Sequence, residues 1–240
     1  MMLQNREGQS ARLVPNNAGL CELVFDAVLF DLDGTLVDSA EIIERLWGEW
    51  AARHSLNVRD ILAISHGRPA EETMRLVAPH LPNLKEEAAA RLRAEEQHSD
   101  GLRAISGAKR LLNSLPPNRW AIVTSCTQKL AEVRLRTVGL PVPPVMITQE
   151  IVSQGKPHPS GYLEAARRLG WPPQNCLVVE DSPVGVEAGR AAGMRVLGVS
   201  TTFPADQLFA DLTVADLTEV AIVPGVPLTI RIGAASPITP

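Results

Sequence analysis

Residues 25–38 have the sequence FDAVLFDLDGTLVD, and this stretch decides the fold. Ala27–Phe30 are apolar without interruption, and Leu32 continues the run beyond Asp31. A short, continuous apolar run is typical of a β-strand that is buried on both faces. The stretch therefore predicts a central strand that ends in two carboxylates, Asp31 and Asp33.

These two carboxylates indicate a bound cation. Asp31 and Asp33 repel each other and are costly to desolvate unless a positive charge lies between them. Mg²⁺ suits the pattern, because it takes oxygen ligands and is usually held by one or two carboxylates together with substrate phosphate. Asp31 could then attack phosphorus while Asp33 transfers the proton. The pattern Asp-x-Asp-Gly-Thr alone is equally compatible with a capped turn after a strand, because Asp and Gly are common turn residues.

The composition limits the class of partner. The chain has 240 residues, of which 45% are hydrophobic and 21% are charged, as in ordinary globular proteins. The net charge of −4 and the lack of a Lys/Arg-rich block argue against nucleic acid as a partner. No apolar run approaches the roughly 18 residues that a membrane span requires, so we expect no membrane partner either.

The cysteines and the first residues indicate the compartment. Cys21, Cys126 and Cys176 are widely spaced, which is typical of buried thiols in a reducing environment. Residues 1–20 lack the apolar core of a secretory signal. We therefore expect a cytoplasmic protein, and we take a monomer as the expected state.

Strand and helix patterns divide the chain into segments. Residues 1–22 are polar and broken by Pro and Gly, which predicts a flexible extension. Residues 39–105 have helical periodicity without a strand-like run, which predicts an inserted α-helical cap. Residues 23–38 and 106–222 alternate strands with helices, which predicts a Rossmann-like α/β core with a doubly wound parallel sheet. Residues 223–240 are left as a tail.

Polar residues follow other strands of this predicted sheet. Thr124 and Ser125 end one strand, where hydroxyl and N–H groups could hold phosphate oxygens. Lys156 lies in a loop, where its ammonium could neutralise a phosphoryl group. Glu180 and Asp181 end another apolar strand, and a second acidic pair at a strand end would complete a magnesium site.

Each of these features also has a purely structural interpretation. Thr and Ser commonly end strands, and a loop lysine such as Lys156 is usually solvated. Asp181 precedes Ser182 and Pro183, so it could simply cap a helix.

The combination resembles a known family. Residues 31–39, DLDGTLVDS, resemble the first motif of the haloacid dehalogenase superfamily, in its phosphatase and phosphomutase branch. That family has a Ser/Thr, a Lys and an acidic pair in this order after Asp-x-Asp, and the resemblance covers roughly residues 25 to 220. It implies the same fold, with a helical cap inserted into a doubly wound α/β core.

The resemblance also implies roles. Asp31 would be the nucleophile, Asp33 the general acid/base and Lys156 a catalytic charge clamp. The implied phosphate-binding residues are Thr124, Ser125 and Lys156. The implied Mg²⁺ ligands are Asp31, Asp33, Asp181 and Glu180, with Asp33 acting through its backbone carbonyl.

The cap sequence indicates a branch of the superfamily. His66, Gly67 and Arg68 correspond to a cap loop that faces the substrate in sugar phosphatases of the family. Dehalogenases lack the second acid, so Asp33 argues against them. Phosphonate hydrolases need a lysine near the start of the cap, whereas Lys85 lies deep in a predicted helical region.

We therefore predict a Mg²⁺-dependent phosphatase of small sugar or polyol phosphates that acts through an aspartyl-phosphate on Asp31. Two alternatives stay open. A hexose-phosphate mutase of the β-phosphoglucomutase type would use the same core and return the phosphoryl group to the sugar. A non-catalytic sugar-phosphate-binding protein would keep the fold without turnover.

Overall fold

The computed structural model describes residues 13–15, 21–223, 225 and 227–233. Within them, the strands are β1 (Leu13–Pro15), β2 (Cys21–Phe25), β3 (Ala27–Phe30), β4 (Val37–Asp38), β5 (Arg103–Ala104), β6 (Trp120–Val123), β7 (Met146–Ile147), β8 (Cys176–Glu180), β9 (Arg195–Val199), β10 (Leu212–Val214), β11 (Val220–Val223) and β12 (Leu228–Ile232). The α-helices are α1 (Ala40–Arg53), α2 (Val58–Ser65), α3 (Ala70–Val77), α4 (Leu84–Gln97), α5 (Ala108–Asn113), α6 (Gln128–Thr137), α7 (Ser160–Leu169), α8 (Pro183–Ala191) and α9 (Ala205–Leu208). Short 3₁₀ turns cover Pro117–Arg119, Pro173–Asn175 and Leu217–Glu219.

A parallel sheet forms the centre of the fold. Its six strands follow the order β10-β9-β8-β3-β6-β7, and every neighbouring pair is parallel. Strand β3 is buried on both faces, because Val28 and Phe30 belong to one hydrophobic cluster and Ala27 and Leu29 to another. The predicted doubly wound α/β fold is confirmed, and the uninterrupted apolar run of β3 is explained by helices that cover both sides of the sheet.

A second, antiparallel sheet contains the two ends of the described chain. Its strands follow the order β1-β2-β12-β11, so strands from both predicted tails pair with each other. Leu228, Ile230 and Ile232 alternate with more exposed residues and belong to the same hydrophobic cluster as Val28 and Phe30 of β3. The prediction of a flexible extension over residues 1–22 is therefore wrong for Leu13–Pro15 and for the start of β2, and the tail predicted from residue 223 contains a sheet strand.

The physical reason is long-range pairing. Strand β2 contributes buried Leu23 and Phe25, but it is too short to be stable without a partner that lies about 200 positions later in the chain. The rest of the predicted extension, residues 1–12 and 16–20, lies outside the described residues, as do residues 234–240.

Helices α1–α4, called here the four-helix segment, lie between β4 and β5. These two short strands pair antiparallel, so the chain leaves and re-enters the core at adjacent points. The segment has its own hydrophobic cluster, which includes Trp47, Trp50, Ile61 and Met74. Trp47 and Trp50 therefore pack inside the segment, as their helical spacing predicts.

In the part of the chain that the structure describes, none of the helices combines the length and apolarity needed to cross a membrane.

Candidate active site

Three neighbouring strands bring the predicted site residues to one edge of the parallel sheet. The sheet order places β3 between β8 and β6, so Asp31 follows the central strand, Asp181 follows one neighbour and Thr124 follows the other. The backbone N–H of Asp31 donates a hydrogen bond to the carbonyl of Val179 at 3.0 Å, which continues the pairing of β3 and β8 into the site. Residues that are far apart in sequence therefore meet at the carboxyl ends of parallel strands.

Three buried carboxylates converge at this edge. Asp31, Glu180 and Asp181 each offer an oxygen, and these oxygens lie within 4.8 Å of one another. Their side chains are almost fully buried. Like charges at this separation disfavour joint ionisation, so the cluster calls for a cation and offers only the hard oxygen ligands that suit Mg²⁺.

The protonation of the cluster reflects this crowding. Burial raises the pKa of Asp31 well above its usual range, and the carboxylates of Glu180 and Asp181 raise it further, although Lys156 opposes them. Burial and then Glu180 raise the pKa of Asp181 to about 7, against hydrogen bonds from Thr202 and Thr35. The site therefore has an excess of acidic groups that its own lysine does not fully compensate.

Lys156 is the cation that the chain itself supplies. Its ammonium donates hydrogen bonds to Asp31 and, at 2.6 Å, to Glu180. Burial opposes the charge, but Asp31 and Glu180 outweigh it and raise the pKa of Lys156. Lys156 is thus buried and charged at the reacting edge of the sheet, which contradicts the alternative of a solvated loop lysine.

Glu180 holds the centre of this hydrogen-bond network. Its Oε1 accepts from Lys156 and, at 2.9 Å, from the hydroxyl of Tyr162. Its Oε2 accepts from the backbone N–H of Asp181, the backbone N–H of Ser182 and the Ser182 hydroxyl. Five donors bind its two oxygens and fix the carboxylate, so Glu180 can orient the ammonium of Lys156. Tyr162 was not predicted, because a single tyrosine in an amphipathic helix looks like a core residue.

Asp181 is free to face the site because its neighbour caps the next helix. The hydroxyl of Ser182 accepts from the N–H of Gly185 at 3.2 Å, and Ser182 is the N-cap of α8. The helix-cap interpretation of Asp181 is therefore wrong. Oδ1 of Asp181 accepts instead from the Thr35 hydroxyl at 2.9 Å.

The carboxylate of Asp33 lies outside the acidic cluster. Its Oδ1 accepts from the Ser39 hydroxyl at 2.7 Å, and its Oδ2 accepts from Arg134 and, at 3.0 Å, from the Cys126 thiol. Ser39 is the N-cap of α1 and makes no side-chain cap bond, and its hydroxyl donates to Asp33 instead. The side chain of Asp33 is thus held by several donors, while its predicted contact with metal through the backbone carbonyl stays a prediction.

Buried charges extend from Asp33 into the four-helix segment. Arg134, on α6, donates to both Asp33 and Glu95, and Arg91 donates to the other oxygen of Glu95. Glu95 and Arg91 lie on α4. The sequence does not mark these residues as part of a site, because charged residues within a helix usually lie on its solvated face. Only the structure shows that they are turned inward.

The remaining predicted residues line one cavity of about 570 Å³ together with Asp31, Asp33 and Lys156. They are His66, Gly67, Arg68, Thr124 and Ser125. The Ser125 hydroxyl donates to the carbonyl of Gly67 at 2.7 Å, which holds the loop between α2 and α3 against the core. Thr124 accepts from the N–H of Cys126 at 3.1 Å, so its hydroxyl also stabilises the turn after β6.

His66 and Arg68 occupy the wall contributed by the four-helix segment. Burial lowers the pKa of His66, against the carboxylates of Asp33 and Glu44, which favours a neutral imidazole. Arg68 donates to the carbonyl of Ile64 at 2.7 Å and pairs with Glu72 at 3.6 Å. Arg68 therefore has structural partners as well as access to the cavity, and His66 lines the same cavity.

The sequence is similar to known hydrolases and phosphatases. Residues 25–193 match a family described as haloacid dehalogenase-like hydrolase. Hexitol phosphatase A of Escherichia coli is 43% identical over 182 residues, which cover 74% of this chain and 83% of that protein. Glycerol-1-phosphate phosphohydrolase 2 of Saccharomyces cerevisiae is 35% identical, with coverage of 78% and 79%.

Solved structures of hydrolases are also similar to this chain. A hydrolase from Pseudomonas syringae superimposes with a TM-score of 0.69 at 25% identity, covering 76% of this chain and 89% of that one. A hydrolase of the same family from Deinococcus radiodurans, solved with phosphate and sodium, has a TM-score of 0.61 at 30% identity, with coverage of 81% and 93%. The match to the family covers most of the core and the whole set of strand-end residues. The chain therefore belongs to the haloacid dehalogenase-like hydrolase family.

Proposed function

We propose that this protein is a Mg²⁺-dependent phosphatase of small sugar or polyol phosphates. The observation that carries the proposal is the convergence of Asp31 and Asp181 beside the buried ammonium of Lys156, at the wall of a cavity large enough for a small ligand. The names of the similar proteins from Escherichia coli and Saccharomyces cerevisiae support phosphomonoester hydrolysis as the reaction.

In this proposal, Asp31 attacks phosphorus and becomes an aspartyl-phosphate. Asp33 gives a proton to the departing sugar oxygen and then takes one from the water that hydrolyses the intermediate. Mg²⁺, when bound, supplies positive charge that offsets the approach of an anionic nucleophile to an anionic phosphoryl group. Lys156 contributes a second positive charge on the same side and holds Asp31 in place.

Asp31 and Asp181 are the best side-chain ligands for the metal. Glu180 belongs to the acidic cluster, but five protein donors already bind its two oxygens. We infer that Glu180 mainly orients Lys156, and that the backbone carbonyl of Asp33 completes the protein's share of the ligands. The remaining positions fall to water and substrate, as is usual for Mg²⁺.

Thr124, Ser125 and Lys156 are proposed to hold the phosphoryl oxygens. Residues 39–105 are proposed to act as a cap over the core formed by residues 23–38 and 106–222, with the loop of His66, Gly67 and Arg68 facing the substrate. Closure of such a cap excludes bulk water during phosphoryl transfer. A monomeric state and a cytoplasmic location stay predictions.

Hydrolysis is favoured over the two alternatives. The similar proteins named above are phosphatases by name, which favours release of phosphate over its return to a sugar. A protein that only binds sugar phosphates needs no second acid two residues after Asp31, yet Asp33 is present and its carboxylate is held by Ser39 and Arg134.

A phosphate-release screen tests the proposal. We expect phosphate release from hexose, pentose and polyol phosphates with Mg²⁺ and none with EDTA. Asp31→Asn is expected to stop release while ligand binding persists. The absence of turnover on the whole panel in Mg²⁺ would favour the binding protein, and a requirement for a sugar bisphosphate activator would favour the mutase.

A further inference from the structure

Arg91 lines the cavity and has no role in the proposed mechanism. It is on α4, and only 9% of its side chain is exposed. One guanidinium nitrogen, Nη1, donates to Glu95, and the guanidinium carbon lies 4.2 Å above the centre of the Trp47 ring. These two contacts fix the plane of the guanidinium, which is a costly group to order and to bury.

The guanidinium is buried without enough hydrogen-bond partners. Its Nε is fully buried and has no partner among the described residues. Burial lowers the pKa of Arg91, and the nearby charge of Arg134 lowers it further, while Glu95 opposes them. Glu95 cannot compensate Arg91 alone, because its second oxygen accepts from Arg134. Buried N–H donors that lack acceptors are rare in folded proteins.

Nε of Arg91 has no accessible surface, so a ligand can meet the guanidinium only at its other nitrogens, through the 9% of the side chain that is exposed at the cavity. Arg91 lines the same cavity as Asp31, but it belongs to the four-helix segment, whereas the residues proposed to hold phosphate lie at the strand ends. A substrate with its phosphoryl group at Asp31 would place its organic part in this cavity, where Arg91 is one of the lining residues. Glu71, Glu72 and Glu95 line the cavity as well, so it suits hydroxyl groups and disfavours a second phosphoryl group.

We propose that Arg91 is a substrate-binding residue that donates hydrogen bonds to oxygen atoms in the sugar or polyol part of a monophosphate substrate. This inference rests on the proposed phosphatase function and refines it, because it assigns preference for polyhydroxy substrates to one side chain. Glu95 and Trp47 position the guanidinium, so the donors are ordered before the substrate arrives, which limits the entropy lost on binding.

The test compares two substrates that differ in hydroxyl groups. A hexitol phosphate has hydroxyls for Arg91 to bind, whereas the ring of phenyl phosphate has no oxygen atom that could accept a hydrogen bond. In Arg91→Gln, the ratio of kcat/KM for the hexitol phosphate to kcat/KM for phenyl phosphate is expected to fall at least about 10-fold, the usual effect of losing a hydrogen bond from a charged donor. Arg91→Lys keeps the charge but loses the planar fork, and it should fall between wild type and Arg91→Gln.

Arg93→Gln is the matched control, because Arg93 is an exposed arginine on the same helix. We expect it to leave the ratio unchanged. Glu95 keeps Arg134 as a partner when Arg91 is replaced, so the variants are expected to fold. If Arg91→Gln nevertheless fails to fold, Arg91→Lys carries the same comparison, and the affinity of Asp31→Asn for the hexitol phosphate can be compared with that of Asp31→Asn/Arg91→Lys.

The outcomes separate the two proposals. An unchanged ratio, with equal losses on both substrates or with no loss, would overturn the role of Arg91 and leave the phosphatase function intact. The absence of phosphate release from either substrate by the wild-type protein would instead overturn the proposed function.

Discussion

The guanidinium of Arg134 donates a hydrogen bond to the carboxylate of Asp33, although the two residues are 101 positions apart in the sequence. The same guanidinium donates to Glu95 on α4. Arg134 is 2% exposed, so it is a buried cation with an anion on either side. The core helix α6, the proposed acid/base and the four-helix segment are therefore joined through one side chain.

Replacing Arg134 with methionine should destabilise the protein. The change leaves the carboxylates of Asp33 and Glu95 without their shared cation, and removing one partner of a buried ion pair typically costs about 3 kcal/mol or more. Urea denaturation measures the change in the free energy of unfolding. Arg136→Met is the control, because Arg136 is on the same helix and pairs with Glu132, but 71% of its side chain is exposed. We expect that control to change stability by less than about 1 kcal/mol, and equal effects of the two substitutions would contradict the account.

Replacing Gly34 with alanine should damage the metal site. Gly34 has φ of +83°, and a Cβ atom there would lie 2.0 Å from Oδ2 of Asp181. Alanine therefore forces Asp181 to move, so Mg²⁺ affinity and phosphate release should both fall, as measured by calorimetry and by the phosphate assay.

Gly170→Ala separates this effect from backbone strain. Gly170 has a similar φ of +77°, but no atom lies within 4 Å of the Cβ position. The Gly170→Ala variant should lose about 1 kcal/mol of stability, because alanine is strained in the left-handed conformation, and it should keep the metal affinity of the wild type. Full Mg²⁺ affinity in Gly34→Ala would show that Asp181 does not need its present position.

The metal-free protein should become less stable as pH rises from about 4 to 7. The pKa of Asp181 rises from 3.8 to about 7 on folding, and that of Asp31 also rises, so the folded state binds protons that the unfolded state releases. This contribution is fully present below the unfolded pKa and is lost as pH rises through the folded pKa. The free energy of unfolding in EDTA, measured against pH for wild type and Asp181→Asn, tests it. The slope should be smaller in Asp181→Asn, and equal slopes would contradict the account.

Mg²⁺ should reverse this loss at neutral pH. The proposed site would bind Mg²⁺ through ionised carboxylates of the folded state, so a concentration 100 times the dissociation constant should stabilise the protein by about 2.7 kcal/mol. Asp181→Asn removes a proposed ligand and should show a smaller shift at the same Mg²⁺ concentration. Thermal unfolding with and without Mg²⁺ at pH 7.5 measures both, and the same shift in both proteins would count against Asp181 as a ligand.

The strand-end residues could be predicted from the sequence because local chemistry marks them. Asp31 directly follows an apolar strand, and Glu180 and Asp181 end another one. Carboxylates are unusual at the end of a buried strand, and parallel strands bring their carboxyl ends to the same edge of the sheet. Helices over residues 70–77 and 84–97 could be predicted because Pro69, Pro79 and Pro82 separate two segments that are free of strand-like apolar runs.

Other features depend on contacts that no local pattern reports. Strand β2 and strand β12 pair with each other only in the folded chain, so the local sequence of either one does not mark it as part of a sheet. Arg134 and Glu95 lie on helices that also carry exposed charged residues, such as Arg136 and Arg93, and only the approach of α4 to α6 buries them. Ser39 is the N-cap residue of α1 in the structure, and its hydroxyl donates to Asp33, a contact that no local pattern marks.

The central claim is that the carboxylate of Asp31 attacks phosphorus, and acid-quenched single turnover followed by peptide mass spectrometry tests it most directly. With Mg²⁺ and a hexitol phosphate, we expect the mass of one phosphoryl group on the peptide that contains Asp31, removable by hydroxylamine and absent from Asp31→Asn. Phosphate release by Asp31→Asn at the wild-type rate, with no phosphorylated peptide in either protein, would contradict the claim.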